Sequence, residues 1–180
     1  MNELKLIAIA SLVLVSSSAF AAKPVSPLSI GDTGPGGGIV FHVTDDGKHG
    51  LEAAPNDQID KMKWGLLNTP TTAAKSGLFG GSYNTERIIS TNGVHTDGTS
   101  YAALVAANYN GGGYGDWYLP SKDELDLMYV RMNLIGDLNL NHYWSSTQGP
   151  NGPWFVDFRD GTDGEGSYGS TIGVRAVRAF

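Results

Sequence analysis

The chain contains no cysteine. That excludes disulfide staples, thiol nucleophiles and thiolate-held metal sites. Charge is scarce as well, at 17% of residues, and its balance is acidic, −6 from 12 Lys and Arg against 18 Asp and Glu. Such a balance opposes nonspecific attraction to nucleic acid or to an anionic membrane. The four histidines, at positions 42, 49, 95 and 142, are scattered, and none forms the paired spacing of a zinc site. There is no G-x-S-x-G elbow and no P-loop, and Gly34 to Gly38 precede a strand-like run instead of following one into a helix. The one long apolar run, Leu6 to Val15, is too short and wrongly flanked for a permanent membrane span.

That run fits a secretory signal. Lys5 supplies a weakly positive start, and Ala19-Phe20-Ala21 is a small-x-small cleavage site. Cleavage is expected after Ala21, giving a protein that is secreted, periplasmic or held at the cell surface. The remaining chain, about 159 residues, suffices for one domain with a real core. Residues 22–30 read as a short leader and residues 31–180 as a single domain, with no internal repeat and no linker. Twenty-five glycines point to a loop-rich α+β fold of short antiparallel strands with two or three helices.

The clearest local instruction lies in residues 111–129. Glycines 111, 112, 113 and 115 lead into the apolar run Trp117-Tyr118-Leu119, which Pro120 stops. Ser121 stands three residues before Glu124, the spacing of a capping box. Leu125, Met128, Tyr129 and Met132 then recur at helical spacing. The carboxylates Asp123, Glu124 and Asp126 sit in a helix start, where capping and the helix dipole explain them. Elsewhere, Gly38–Val43 and Gly50–Ala54 read as a hairpin around a turn at Asp45-Asp46-Gly47. Residues 55–83 read as irregular with Trp64 as a buried anchor, residues 84–91 as a helix capped by Asn84 or Thr85, and residues 99–109 as a second helix. Residues 141–147, 154–158 and 172–180 read as strands.

Five blocks occur in order: Gly31-Asp-Thr-Gly-Pro-Gly-Gly-Gly-Ile-Val-Phe, His49-Gly-Leu-Glu-Ala, Trp117-Tyr-Leu-Pro-Ser-Lys-Asp-Glu-Leu, Tyr143-Trp-Ser-Ser and Gly173-Val-Arg-Ala-Val-Arg-Ala-Phe. Together they resemble the C-terminal domain of the Legionella collagen-like adhesin family. The resemblance implies a compact domain similar to the C-type lectin and formylglycine-generating-enzyme folds. It also implies trimers at the tip of a collagen-like stalk and binding of sulfated glycosaminoglycans. This chain departs from that pattern. Its Gly-Pro segment holds only about two collagen-like triplets, far too few for a triple helix. It also lacks the cysteine on which the formylglycine-generating activity depends.

The expectation for function is therefore a non-enzymatic, adhesin-like binding domain that meets a glycan or protein at a cell surface. The alternatives are a structural or oligomerisation domain of an envelope assembly, and an enzyme whose site carries no familiar motif. Tyr114, Trp154 and Tyr168 lie beside glycine-rich loops and are candidates to stack on sugar faces. Trp154 also alternates with Val156 and Phe158, which fits a core position, and Trp117 and Trp144 sit in strand motifs and read as core. The loop from Asp157 through Arg159, Asp160 and Asp163 to Glu165 is the densest acidic cluster. It reads either as a ligand loop, with Asp160, Asp163 and Glu165 as calcium donors, or as a solvated hairpin tip. No other cofactor is expected. The calcium-and-sugar triplets of C-type lectins are missing, since Ala54-Pro55-Asn56 lacks an acidic or amide first member. Arg175 and Arg178, three apart in one strand, should point to opposite faces, one paired at the core rim and one exposed.

Overall fold

The computed structural model describes residues 26–44, 46–66, 70–95, 97–139 and 141–180. The expected signal peptide lies outside the described residues. Eight strands and four α-helices make a mixed α+β domain among the described residues. β1 (Ile39–Val43), β2 (Gly50–Ala53) and β8 (Val177–Ala179) form a small antiparallel sheet in the order β1-β2-β8. β3 (Ile59–Lys63), β4 (His142–Gln148), β5 (Pro153–Asp157), β6 (Asp163–Glu165) and β7 (Thr171–Val174) form the larger sheet, ordered β3-β7-β4-β5-β6. The helices are α1 (Gly81–Asn92), α2 (Ala102–Ala107), α3 (Lys122–Val130) and α4 (Met132–Ile135). No helix among the described residues is long and apolar enough to cross a membrane.

β4 explains the layering. Its side chains alternate by the strand period of two. Tyr143 enters a core with Phe41, Leu51, Leu125, Met128 and Val156, while Trp144 enters another with Trp64, Ile88, Tyr101 and Val174. Helices therefore cover both faces of the strand, α1 on one side and α3 on the other. The hydroxyls of this strand tie it to the strand-to-helix corner. Ser146 donates to the Pro120 carbonyl from its backbone N–H at 2.6 Å and from its hydroxyl at 3.1 Å. Thr147 Oγ1 accepts from Lys122 N at 3.0 Å, and Trp64 Nε1 donates to the Ser145 carbonyl at 2.7 Å.

The corner forms as its spacing implies. Ser121 Oγ accepts from Glu124 N at 3.3 Å, and Glu124 Oε2 accepts from Ser121 N at 2.7 Å. Leu125 and Met128 are buried, with Tyr129 and Met132 packed beside them. Trp117, Trp144 and Trp64 are all buried.

Several expectations are corrected. Four α-helices replace two or three. The sheet is not wholly antiparallel, because β4 pairs β7 in parallel at Tyr143 and Gly173. α1 starts at Gly81, so neither Asn84 nor Thr85 caps it. Asn84 instead holds the Lys75 backbone, and Thr85 Oγ1 accepts from Leu119 N at 3.1 Å. The Glu124 carboxylate also faces the backbone N–H groups of Phe79 and Gly81 at the start of α1. One buried side chain thus serves two helix starts. α2 is shorter than the alanine-rich run, and β3 lies in the segment read as irregular.

Residues 172–180 are two strands in different sheets. The period breaks at Arg175-Ala176, and both arginines are buried. Arg175 Nε meets Asp57 Oδ1 at 2.6 Å and Nη1 donates to the Ala54 carbonyl at 2.8 Å. Arg178 Nη1 meets Glu52 Oε1 at 2.8 Å and Nε meets Asp116. Neither is the exposed arginine expected from regular alternation.

Candidate functional site

The β5–β6 hairpin places most of the candidate residues. Register pairs Trp154 with Glu165 and Val156 with Asp163. Val156 and Phe158 lie in the core, whereas Trp154 stands half-buried at the end of that row, outside both core clusters. The Lys122 ammonium lies 5.2 Å from its ring centroid, a cation–π distance. Lys122 also pairs with Asp163 and, at 2.8 Å, with Asp126. Burial works against this ammonium, but the two carboxylates together push its pKa up.

The acidic loop does not converge on a shared centre. Asp160 accepts from Thr162 N at 3.0 Å and Thr162 Oγ1 at 2.8 Å, closing its own turn. Asp163 faces Lys122, and Glu165 Oε2 accepts from Asn151 N at 2.7 Å. Among the described residues, no group of three or more His, Cys, Asp or Glu is arranged to hold a metal ion. Asp157 is a further correction, since it is buried and not at a solvated tip. The Arg159 guanidinium hydrogen-bonds it and holds its carboxyl down at about 2, with His142 Nε2 also 3.4 Å away. Arg159 is thereby committed to Asp157.

Tyr114 stands apart from the hairpin. Arg178 lies 3.7 Å from its ring centroid, so one ring face is already covered. That arginine belongs to a buried network in which Glu52 accepts from Gly36 N at 2.9 Å and from Gly38 N at 3.0 Å. Tyr114 therefore packs on the clamp of the N-terminal glycine loop.

Tyr168 is placed differently. It stands between two open clefts. One, of ≈380 Å³, is lined by Lys63, Gly65, Leu66, Ser167 and Gly169 besides Tyr168. The other, of ≈460 Å³, is bounded by the segment around Thr72 and by Gln148 to Asn151. Both volumes fall in the range of small-molecule sites. The tyrosine is fixed from two directions. Its ring meets the buried Trp64 edge-on at 5.6 Å, and its hydroxyl accepts from Gln148 Nε2. Gln148 Oε1 in turn accepts from Thr71 N at 2.7 Å and Thr71 Oγ1 at 2.9 Å. The next residue, Thr72, has φ of 59°. Left-handed backbone is costly for a β-branched residue, and such positions cluster at ligand-facing sites.

Trp154 adjoins this face through Gly149. A Cβ on Gly149 would fall 2.6 Å from Trp154 Nε1, so glycine is required for the close approach. The structure thus brings Trp154, Asp163 and Glu165 onto one face of the β5–β6 hairpin beside Lys122, sets Tyr168 against Trp64 beyond the hairpin, leaves Arg159 and Asp160 exposed at the turn with Asp157 buried next to it, and puts Tyr114 elsewhere. Sequence reasoning missed Gln148 and Thr71, which set the tyrosine. Neither carries a local signal, because their meeting joins positions 77 apart. No family model matches the chain, and no curated protein sequence matches it.

Proposed function

We propose that the chain is a secreted, non-enzymatic binding domain of the C-type lectin-like kind, related to the C-terminal domain of the Legionella collagen-like adhesin family. It recognises a glycan at the bacterial envelope or outside the cell. The observation that carries this reading is Tyr168, a half-buried aromatic ring locked by Trp64 and Gln148 between two open clefts. A sugar presents an apolar C–H face and a polar rim, and a fixed aromatic platform among backbone and amide groups matches both. The test is a glycan array with calcium and with a chelator, using the wild type and Tyr168→Ala. Binding that weakens on loss of the ring supports the reading. Absence of any glycan binding in either condition removes it.

A second reading, self-assembly, with the trimer being what the family resemblance implies, is favoured by one observation. Leu78, Phe79 and Tyr83 are 38%, 45% and 41% exposed around the start of α1. An apolar group of this kind is suited to contact with another chain. Sedimentation at high concentration separates the two readings, since a strict monomer leaves only ligand binding.

A further inference from the structure

A third cleft, of ≈470 Å³, shares no lining residue with the two around Tyr168. It lies between the segment following β2 and the C-terminal end of α2. Asn56, Asp57 and Gln58 face Asn108 and Tyr109 across it, with Ser100 and Val105 completing the wall.

The chemistry of this wall is nearly neutral. Its one carboxylate, Asp57, is already satisfied. Oδ1 meets the buried Arg175 Nε at 2.6 Å, and Oδ2 accepts from Tyr143 Oη at 2.7 Å and Asn139 Nδ2 at 3.0 Å. Among the described residues, no lysine, arginine or histidine lines the cleft. A phosphate or sulfate entering here would lose hydration without meeting a cation.

What remains is amide and hydroxyl. Gln58 is held in place, its Nε2 donating to the Asn56 carbonyl at 2.8 Å and its Oε1 accepting from Ala176 N. The exposed side-chain carboxamides of Asn56 and Asn108 make no hydrogen bond to another described residue. A carboxamide offers both donors and an acceptor, which complements a hydroxyl that is also both. Val105 and Tyr109 add an apolar strip, and the Tyr109 ring is fixed edge-on against the buried Trp117 at 5.0 Å.

We infer that this cleft is a second binding site, selective for an uncharged polyhydroxylated ligand such as a neutral mono- or disaccharide unit. The inference rests on the glycan reading for its ligand class, but not on Tyr168 for its contacts. It also separates this site from sulfated or phosphorylated ligands, which the lining disfavours.

The test is NMR titration of ¹⁵N-labelled protein, read on the side-chain amides of Asn56, Asn108 and Gln58 and on the backbone amides of Val105 and Tyr109, the last three being present in every variant. The probes are lactose, maltose and chitobiose, with a sulfated heparin disaccharide and inorganic phosphate as charged controls. The proteins are the wild type, the double variant Asn56→Ala with Asn108→Ala, and Tyr168→Ala. The expected result is that at least one neutral disaccharide shifts the Asn56 and Asn108 amides. In the double variant, which lacks those two resonances, the Gln58 side-chain amide and the Val105 and Tyr109 backbone amides report binding, and the affinity should fall by about tenfold or more, two hydrogen-bonding side chains being lost. Tyr168→Ala should leave it unchanged. The inference is overturned if no neutral disaccharide moves those amides, if the double variant binds as the wild type does, or if the charged probes bind more tightly. Array binding that depends on Tyr168 while the two asparagine amides stay still would remove this cleft and keep the broader reading. Amide shifts without Tyr168-dependent array binding would keep the cleft and remove the Tyr168 face.

Discussion

The buried chain Glu52–Arg178–Asp116 offers a graded test of what holds the glycine loop. Glu52 is fully buried, the Arg178 side chain is 9% exposed, and Asp116 is 59% exposed. Glu52 accepts from Gly36 N at 2.9 Å, Gly38 N at 3.0 Å and Arg178 Nη1 at 2.8 Å. In Glu52→Gln, one carboxylate oxygen becomes an NH₂ group. That group cannot accept, so either the backbone donor of Gly38 or the arginine loses its partner. An unmet buried donor costs about 1–3 kcal/mol, and a lost hydrogen bond to a charged group about 1.5–3 kcal/mol. Either loss comes with leaving Arg178 without its buried counter-charge, and breaking one side of a buried ion pair typically costs ~3–5 kcal/mol in all. Asp116→Asn alters only the solvent-exposed partner and should cost about 1 kcal/mol or less.

Urea unfolding followed by tryptophan fluorescence measures both, since Trp117 and Trp64 are buried reporters. With a slope of about 2 kcal/mol/M, Glu52→Gln should lower the midpoint by ~1.5–2.5 M, and Asp116→Asn by about 0.5 M or less. Equal losses from the two variants would refute the reasoning, because they would show that burial does not set the cost. A Glu52→Gln loss below about 1 kcal/mol would refute it as well.

Four further outcomes follow from other contacts in the fold. Burial raises the Glu124 carboxyl from an ordinary 4.5 to about 6; a native state that keeps its proton longer than the unfolded chain loses stability as pH rises between those values, by ~2 kcal/mol. Glu124→Gln should flatten that slope in melts taken across the window. Asp157 has the opposite sign, its stabilisation being present above an ordinary 3.8 and lost as pH falls through about 2, so Arg159→Ala should reduce acid resistance in the same melts. A Cβ on Gly36 would fall 2.8 Å from Glu52 Oε1 and 2.8 Å from Trp117 Cζ2, whereas one on Gly115 meets nothing within 4 Å; Gly36→Ala should cost about 1–3 kcal/mol, and Gly115→Ala should lie within about 0.5 kcal/mol of the wild type. Because Asp160, Asp163 and Glu165 are each turned to a different partner, millimolar calcium should leave the melting temperature unchanged, and a calcium-dependent rise abolished by Asp160→Ala with Asp163→Ala would overturn that reading.

The parts of this fold that the sequence disclosed are those whose partners lie close along the chain. Ser121 and Glu124 are three apart, so residue type and spacing together name the capping box. Trp117 and Trp144 are large and sit in strand motifs, so their burial follows from area and pattern. The rest depends on distant partners. Asp57 is 118 positions from Arg175, and Glu52 is 126 from Arg178; no local pattern says that either arginine will be buried. Strand periodicity also misleads there, because the chain changes sheet between Val174 and Val177. β3 was hidden by its composition, Ile-Asp-Lys-Met-Lys, which suits the end strand of a sheet but shows no apolar alternation. The clefts are hidden for the same reason as the arginines, since Thr71 reaches Gln148, and Asn56 and Asn108 come to line one cleft, only after folding.

The absence of cysteine and the placing of several glycines have one explanation between them. Glu52 draws in the backbone of the N-terminal loop, and a Cβ on Gly36 would collide with it. Glu124 faces the backbone at the start of α1, and a Cβ on Gly81 would reach Glu124 Oε2 at 2.5 Å. Glu165 and Trp154 lie against Gly149 in the same way. Glycine at these positions is therefore a condition for close approach by a side chain, and not a sign of slack. The carboxylates hold loop backbone to distant elements, as disulfides do in many small secreted domains. Loops held in this way enter binding already ordered, and ordering is one of the main free-energy costs of association. The Gly149 loop borders the Tyr168 face, so its pinning favours a pre-formed site there. On the proposed glycan reading, Glu165→Ala should weaken array binding that depends on Tyr168, acting through the loop without any contact of its own to the glycan.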